Sequence, residues 1–147
     1  MATERNPTII SRILIGGCAA VILFLGSVHL AYTFFTDKFS PTDSQLENQM
    51  KQVAPRISSD LTMWKAWIGF NASHSMGLLM FGLIYGYLTM WQWELLQRSF
   101  FLAVLGLLVL VSYVALAKIF WFRAPLIGVS AATVLYVAGF ICARWRP

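Results

Sequence analysis

The sequence predicts an all-α membrane protein, an antiparallel bundle of four transmembrane helices with a short amphipathic helix in the first loop. Three observations carry that expectation. Hydrophobic residues make up 59% of the 147 and charged residues only 12%, whereas about a quarter of a soluble domain is charged. Four apolar runs reach the ~17–25 residues that cross ~30 Å of hydrocarbon as helix. Each run is continuously apolar and not alternating, which selects helices over barrel strands.

The first span is expected over Ile13–Phe35. It outlasts the apolar core of a signal peptide, about 7–15 residues, and no small-x-small cleavage pattern follows it. It therefore reads as a retained helix, inside a single membrane domain covering 1–147.

The first loop, 36–60, is the one substantial extramembrane segment. Ser40-Pro41 reads as an N-cap followed by proline at the first helical position, with Asp43 favouring the helix start. Leu46, Met50, Val53 and Ile57 recur at spacings of four, three and four, one face of a short amphipathic helix interrupted by Pro55. Such a helix lies on the headgroups or caps the bundle.

The second span is expected over Met63–Met90. Gly69, Ser73 and Gly77 follow at intervals of four, and Gly82 and Gly86 repeat the spacing. Small residues placed this way let membrane helices approach closely, within one chain or between two copies. The third and fourth spans, Phe100–Phe122 and Pro125–Ala143, are entered through short connections at Gln92–Ser99 and Arg123–Ala124. Short loops make sequential helices antiparallel neighbours. Trp64, Trp67, Trp91, Trp93, Trp121 and Trp145 all fall near expected span ends, as interfacial anchors do.

A net charge of +5 does not indicate nucleic acid, because the basic residues are scattered singly. Most lie near span ends, where they meet lipid headgroups. With four spans, both termini and the second loop share one side, holding Arg5, Arg12, Arg98, Arg144 and Arg146. Lys38, Lys51, Arg56, Lys65, Lys118 and Arg123 fall on the other side. That near balance gives no firm orientation by the basic-residue rule; termini in the cytoplasm are the working expectation.

Asn71-Ala72-Ser73-His74-Ser75 interrupts the second span with four polar residues in five. An unpaired polar group in hydrocarbon costs several kcal/mol, so such residues face a bundle interior and find partners. His29 is seven residues before the end of the first run, roughly 10 Å below the first-loop interface. His74 is eleven residues into the second, roughly 16 Å below the same interface. Lys118 falls near the end of the third span on that side. His29, Asn71, His74, Ser75 and Lys118 thus form the candidate ligand-binding group, concentrated in one leaflet.

Three readings fit these residues. The polar groups bridge helices, at about 0.6–2 kcal/mol per bond, in a small accessory or scaffold subunit of a larger assembly or a homo-oligomer. Alternatively Asn71, His74 and Ser75 orient the polar head of a small molecule or lipid, with Tyr32, Trp67 and Phe70 as walls. The remaining reading is a bis-histidine haem b electron-transfer protein, with His29 and His74 as axial iron ligands. Gly26 and Gly77, one turn deeper than each histidine, would leave room for the macrocycle, and Lys118 or Arg123 would pair with its propionates. Two histidines alone make a poor zinc site.

Enzymatic activity is not the favoured expectation. No acidic partner accompanies His74 in its span, and no catalytic residue is assigned. Cys18 and Cys142 are single and widely separated, which argues against thiol redox chemistry and for small apolar packing. Phosphate loops, hydrolase elbows and zinc-protease helices are absent from the sequence.

Gly69-Phe70-Asn71-Ala72-Ser73-His74-Ser75-Met76-Gly77-Leu78-Leu79 and Phe120-Trp121-Phe122-Arg123-Ala124-Pro125-Leu126-Ile127-Gly128 resemble segments of a family of small four-helix bacterial integral membrane proteins with no assigned activity. The resemblance extends more loosely over most of the chain. It implies a multi-pass protein of the bacterial inner (plasma) membrane and carries over no functional residue. The microsomal glutathione transferases are similar in size and helix number, but their Arg/Asn/Glu pattern is not evident in the second span.

Overall fold

A computed structural model describes residues 5–144, with side chains from Thr8 onward. Among the described residues the secondary structure is entirely helical: α1 (Arg5–Phe35), α2 (Ser44–Gln52), α3 (Met63–Trp91), α4 (Trp93–Arg98), α5 (Phe100–Phe120) and α6 (Arg123–Arg144). The chain divides into two compact units, 1–25 with 78–147, and 26–77. Helices α1 and α3 each run through both.

Among the described residues, three helices are long and apolar enough to cross a membrane: Thr8–Phe35 within α1, then α5 and α6. Their apolar side chains are mostly not buried by protein, as at Phe35, Phe101 and Ile119, 85%, 70% and 70% exposed. A helix apolar all round yet largely uncovered belongs in lipid. Helix α3 has the length at 29 residues but is not among the three, since Asn71, Ser73, His74 and Ser75 dilute its apolar content.

In the larger unit, α1 and α3 pack closely and antiparallel. A Cβ added to Gly82 would lie 2.7 Å from Leu23 Cβ and 2.9 Å from Leu23 N, while one on Gly86 would sit 3.9 Å from Ala19. Farther along, the Arg12 guanidinium donates to the carbonyls of Thr89 (3.2 Å) and Met90 (2.8 Å). These carbonyls belong to the last turn of α3 and have no helical partners, so a cation there offsets both unmade bonds and the helix dipole. Arg12 is therefore a helix cap and not only a headgroup contact. Arg12→Met should lower the stability of purified protein by about 1–2 kcal/mol in thermal denaturation, with Arg12→Lys recovering part of the loss.

Helix α6 also packs on α1, through Gly139 beside Ile15 and the Ser11 carbonyl and through Gly128 beside Leu25. Between α3, α5 and α6 lies an aromatic core. Phe81 stacks on Tyr85 at 4.4 Å, Tyr85 meets Tyr136 edge-on at 5.7 Å, and Tyr136 packs on Phe140 at 4.9 Å. Both tyrosine hydroxyls donate to α5: Tyr85 to the Leu102 carbonyl at 2.7 Å and Tyr136 to that of Ala103 at 3.0 Å. Gly106 leaves them room, because a Cβ there would lie within 2.6 Å of both hydroxyls.

Several local expectations change. The N-cap of α2 is Asp43, not Ser40; its carboxylate accepts from Gln45 N at 2.8 Å. The helix stops at Gln52, with Val53 an extended C-cap whose N–H still donates to the Gln49 carbonyl. Val53 and Ile57 therefore fall outside the helix, 55% and 90% exposed, and no residue of α2 is buried. The expected apolar stripe is reduced to Leu46 and Met50. The second connection carries a short helix, α4, and Ser99 caps α5 by accepting from Leu102 N at 3.2 Å. Helix α6 begins at Arg123, with Pro125 in its first turn, where the missing N–H costs nothing.

The expected packing stripe on α3 also divides. Gly82 and Gly86 face α1, but nothing lies within 4 Å of a Cβ at Gly69, and Ser73 is exposed. Trp93 is 9% exposed and packs into the hydrophobic core. Trp145 and Arg146 lie outside the described residues.

Candidate functional site

In the smaller unit, the last turns of α1 face the first turns of α3. Asn71 is the hub. It is 6% exposed, and both ends of its amide are engaged: Oδ1 with His29 Nε2 at 3.2 Å, and Nδ2 donating to the Trp67 carbonyl at 2.9 Å. Carbonyl Oδ1 only accepts, so His29 carries its proton on Nε2 in this bond. Ser75, fully buried, donates to the Asn71 carbonyl at 2.8 Å. Thr33 likewise donates to the His29 carbonyl at 2.9 Å. These hydroxyls are satisfied within their own helices, as polar groups in apolar surroundings must be.

Rings stack beside this hub. His29 and His74 approach with centroids 5.2 Å apart and planes tilted by 58°. Phe39 lies 4.5 Å from His29, and Phe70 stacks on His74 at 6.3 Å. Phe39, His29, His74 and Phe70 are thus linked by successive ring contacts.

The first loop closes over it. Trp67 Nε1 donates to the Phe39 carbonyl at 2.9 Å, Tyr32 meets Phe39 edge-on at 6.4 Å, and the Lys38 ammonium sits 4.8 Å above the Tyr32 ring. Lower in the loop, Lys51 lies 5.2 Å from the Trp64 ring and pairs with Glu47. Met63 N donates to the Val53 carbonyl at 2.8 Å, fixing the loop's return into α3. Phe39 was not singled out in the sequence. A phenylalanine two residues before a Pro-containing turn carries no signal of which ring it will cover.

The structure thus brings His29, Asn71, His74 and Ser75 together within one unit. Lys118 is exposed, in the last turn of α5, and belongs to the other unit. Among the described residues there is no group of three or more His, Cys, Asp or Glu side chains placed to hold a metal ion.

Comparison with family models, characterised proteins and solved structures finds no match. Chemically the cluster supplies one engaged imidazole–amide pair, a second imidazole in an aromatic stack, and hydroxyls committed to backbone carbonyls.

Proposed function

We propose that this chain is a four-span protein of the bacterial inner membrane, termini in the cytoplasm, serving as an accessory or scaffold subunit. In it the His29–Asn71 pair fastens α1 to α3. One observation carries the reading: both ends of the Asn71 amide, the hydroxyls of Ser75 and Thr33, and the Trp67 indole all have partners inside the protein. A polar group that already has its partners holds helices in register and gains little from a ligand. The fourth span in this reading is α3, whose Asn71 and Ser75 are buried and hydrogen-bonded within the protein.

Haem ligation is the competing reading, favoured by the close approach of the two imidazoles. It requires His29 Nε2, or its other ring nitrogen, to turn from Asn71 to iron. A lipid or small-molecule ligand would instead have to displace Phe39 from the His29 face. Absorption spectroscopy and native mass spectrometry of gently extracted protein separate the three. The scaffold reading expects a colourless protein whose mass equals the polypeptide plus exchangeable lipid. A Soret band lost in both His29→Ala and His74→Ala establishes haem. A stoichiometric small molecule lost in Asn71→Leu establishes ligand binding.

A further inference from the structure

We propose that the larger unit holds one anionic phospholipid at the end of the protein where α4, α5 and α6 meet, with Arg98 and Arg144 on its phosphate. Two adjoining cavities of opposite character support this. The first, about 510 Å³, is walled by Thr8, Trp93, Glu94, Gln97, Arg98, Ala143 and Arg144. The second, also about 510 Å³, is an apolar groove between α5 and α6, with Ala103, Val104, Leu107, Val137 and Ile141 along it. Arg144 lines both. A polar, net-positive chamber joined at one arginine to an apolar groove matches the two halves of a phospholipid.

The groove follows α5 from Phe100 to Leu107 and α6 from Arg144 back to Tyr136, a rise of roughly 10–12 Å at 1.5 Å per residue. That direction leads from the helix ends into the apolar spans, as an acyl chain must. In the chamber, the two arginines face a single carboxylate. Arg98 and Glu94 approach only to 3.8 Å, with both side chains over 80% exposed, a pairing that a phosphate readily displaces. The Arg144 guanidinium lies 6.0 Å over the Phe100 ring, which turns it toward α5 and away from the end of its own helix. Gln97 Nε2 reaches the Ala143 carbonyl at only 3.4 Å, leaving a donor available to a headgroup. Trp93 Nε1 is buried with no hydrogen-bond partner among the described residues. Arg12 is near, 6.0 Å from the Trp93 ring, but its guanidinium is committed to the α3 carbonyls.

A phosphate paired with two arginines at a membrane surface distinguishes lipids by net charge: a zwitterionic headgroup brings its own cation, an anionic one does not. The test is native mass spectrometry of the full-length protein from nanodiscs of equal phosphatidylcholine and phosphatidylglycerol, alongside thermal denaturation in discs of each lipid alone. Retention of one phosphatidylglycerol about fivefold above phosphatidylcholine is expected, with a higher Tm in the anionic discs. Arg144→Gln and Arg98→Gln should each lower that preference several-fold. Val104→Trp, which fills the groove, should abolish retention with the arginines intact. Arg123→Gln, at the opposite end of α6, should change nothing. Equal retention of the two lipids, or a preference unchanged in all three site variants, overturns the proposal. So does a Tm rise reproduced by millimolar inorganic phosphate in phosphatidylcholine discs, which would make the chamber a free-anion site.

Discussion

Tyr136→Ala is expected to be the most damaging single replacement in the larger unit, lowering stability by about 2–4 kcal/mol. Tyr136 is 2% exposed and touches aromatic rings on α3 and α6 while its hydroxyl bonds an α5 carbonyl. Aromatic-to-alanine changes in cores cost about 3–5 kcal/mol. Part of that is transfer from water, which is small when the unfolded helices remain in lipid, so the lost packing and the cavity carry most of the cost. Tyr136→Phe keeps the ring and should cost only the hydrogen bond, about 0.6–1.7 kcal/mol. Thermal denaturation of the two variants in one detergent separates the contributions. Equal losses would mean that the hydroxyl, not the ring, holds the core.

Gly82→Val should cost about 1–3 kcal/mol or more, for the opposite reason. Its added atoms meet Leu23 Cβ, the Leu23 backbone nitrogen and the Ala19 carbonyl, all within 3.0 Å. Backbone cannot move aside as a flexible side chain can, so α1 and α3 must separate and lose contact along the seam. Gly69→Val is the matched comparison. It lies on the same helix with nothing within 4 Å of its Cβ, and should be within about 0.5 kcal/mol of the parent. Comparable losses at both glycines would show that helix propensity, not close approach, sets the cost.

How much of this was legible in the sequence differs by element. Continuous apolar runs located the long helices because length and hydropathy decide that question with little help from tertiary contacts. Depth alone placed His29 near Asn71 and His74, since an antiparallel pair with a rise of 1.5 Å per residue leaves little freedom. Lys118 shares that depth, but it belongs to the other unit, and depth alone does not say which helices are neighbours. The start of α2 was misplaced because Ser40 and Asp43 are both good caps, and only the backbone geometry at Asp43 decides between them. The Tyr85–Tyr136 pair left no signal: its members lie on different helices and meet through carbonyls of a third, where no side-chain pattern marks the place. Arg12 was hidden for the same reason. Its partners are main-chain atoms 77 and 78 residues away.

Gly69, Ser73 and Gly77 illustrate a general limit. Spacing by four states that small residues share a face, not that the face is occupied. On α3, Gly82 lies against Leu23 of α1, while nothing lies within 4 Å of a Cβ at Gly69.

The central claim is that Asn71 joins α1 to α3 through His29, and a double-mutant cycle measures it most directly. His29→Leu, Asn71→Leu and the double variant would be unfolded thermally in the same lipid discs. A direct bond predicts that the double variant is more stable than the sum of the single losses implies, by a coupling of about 0.6–1.7 kcal/mol. Additive losses, with no coupling between the two sites, would contradict the clamp and return the cluster to a role in holding something other than its own helices.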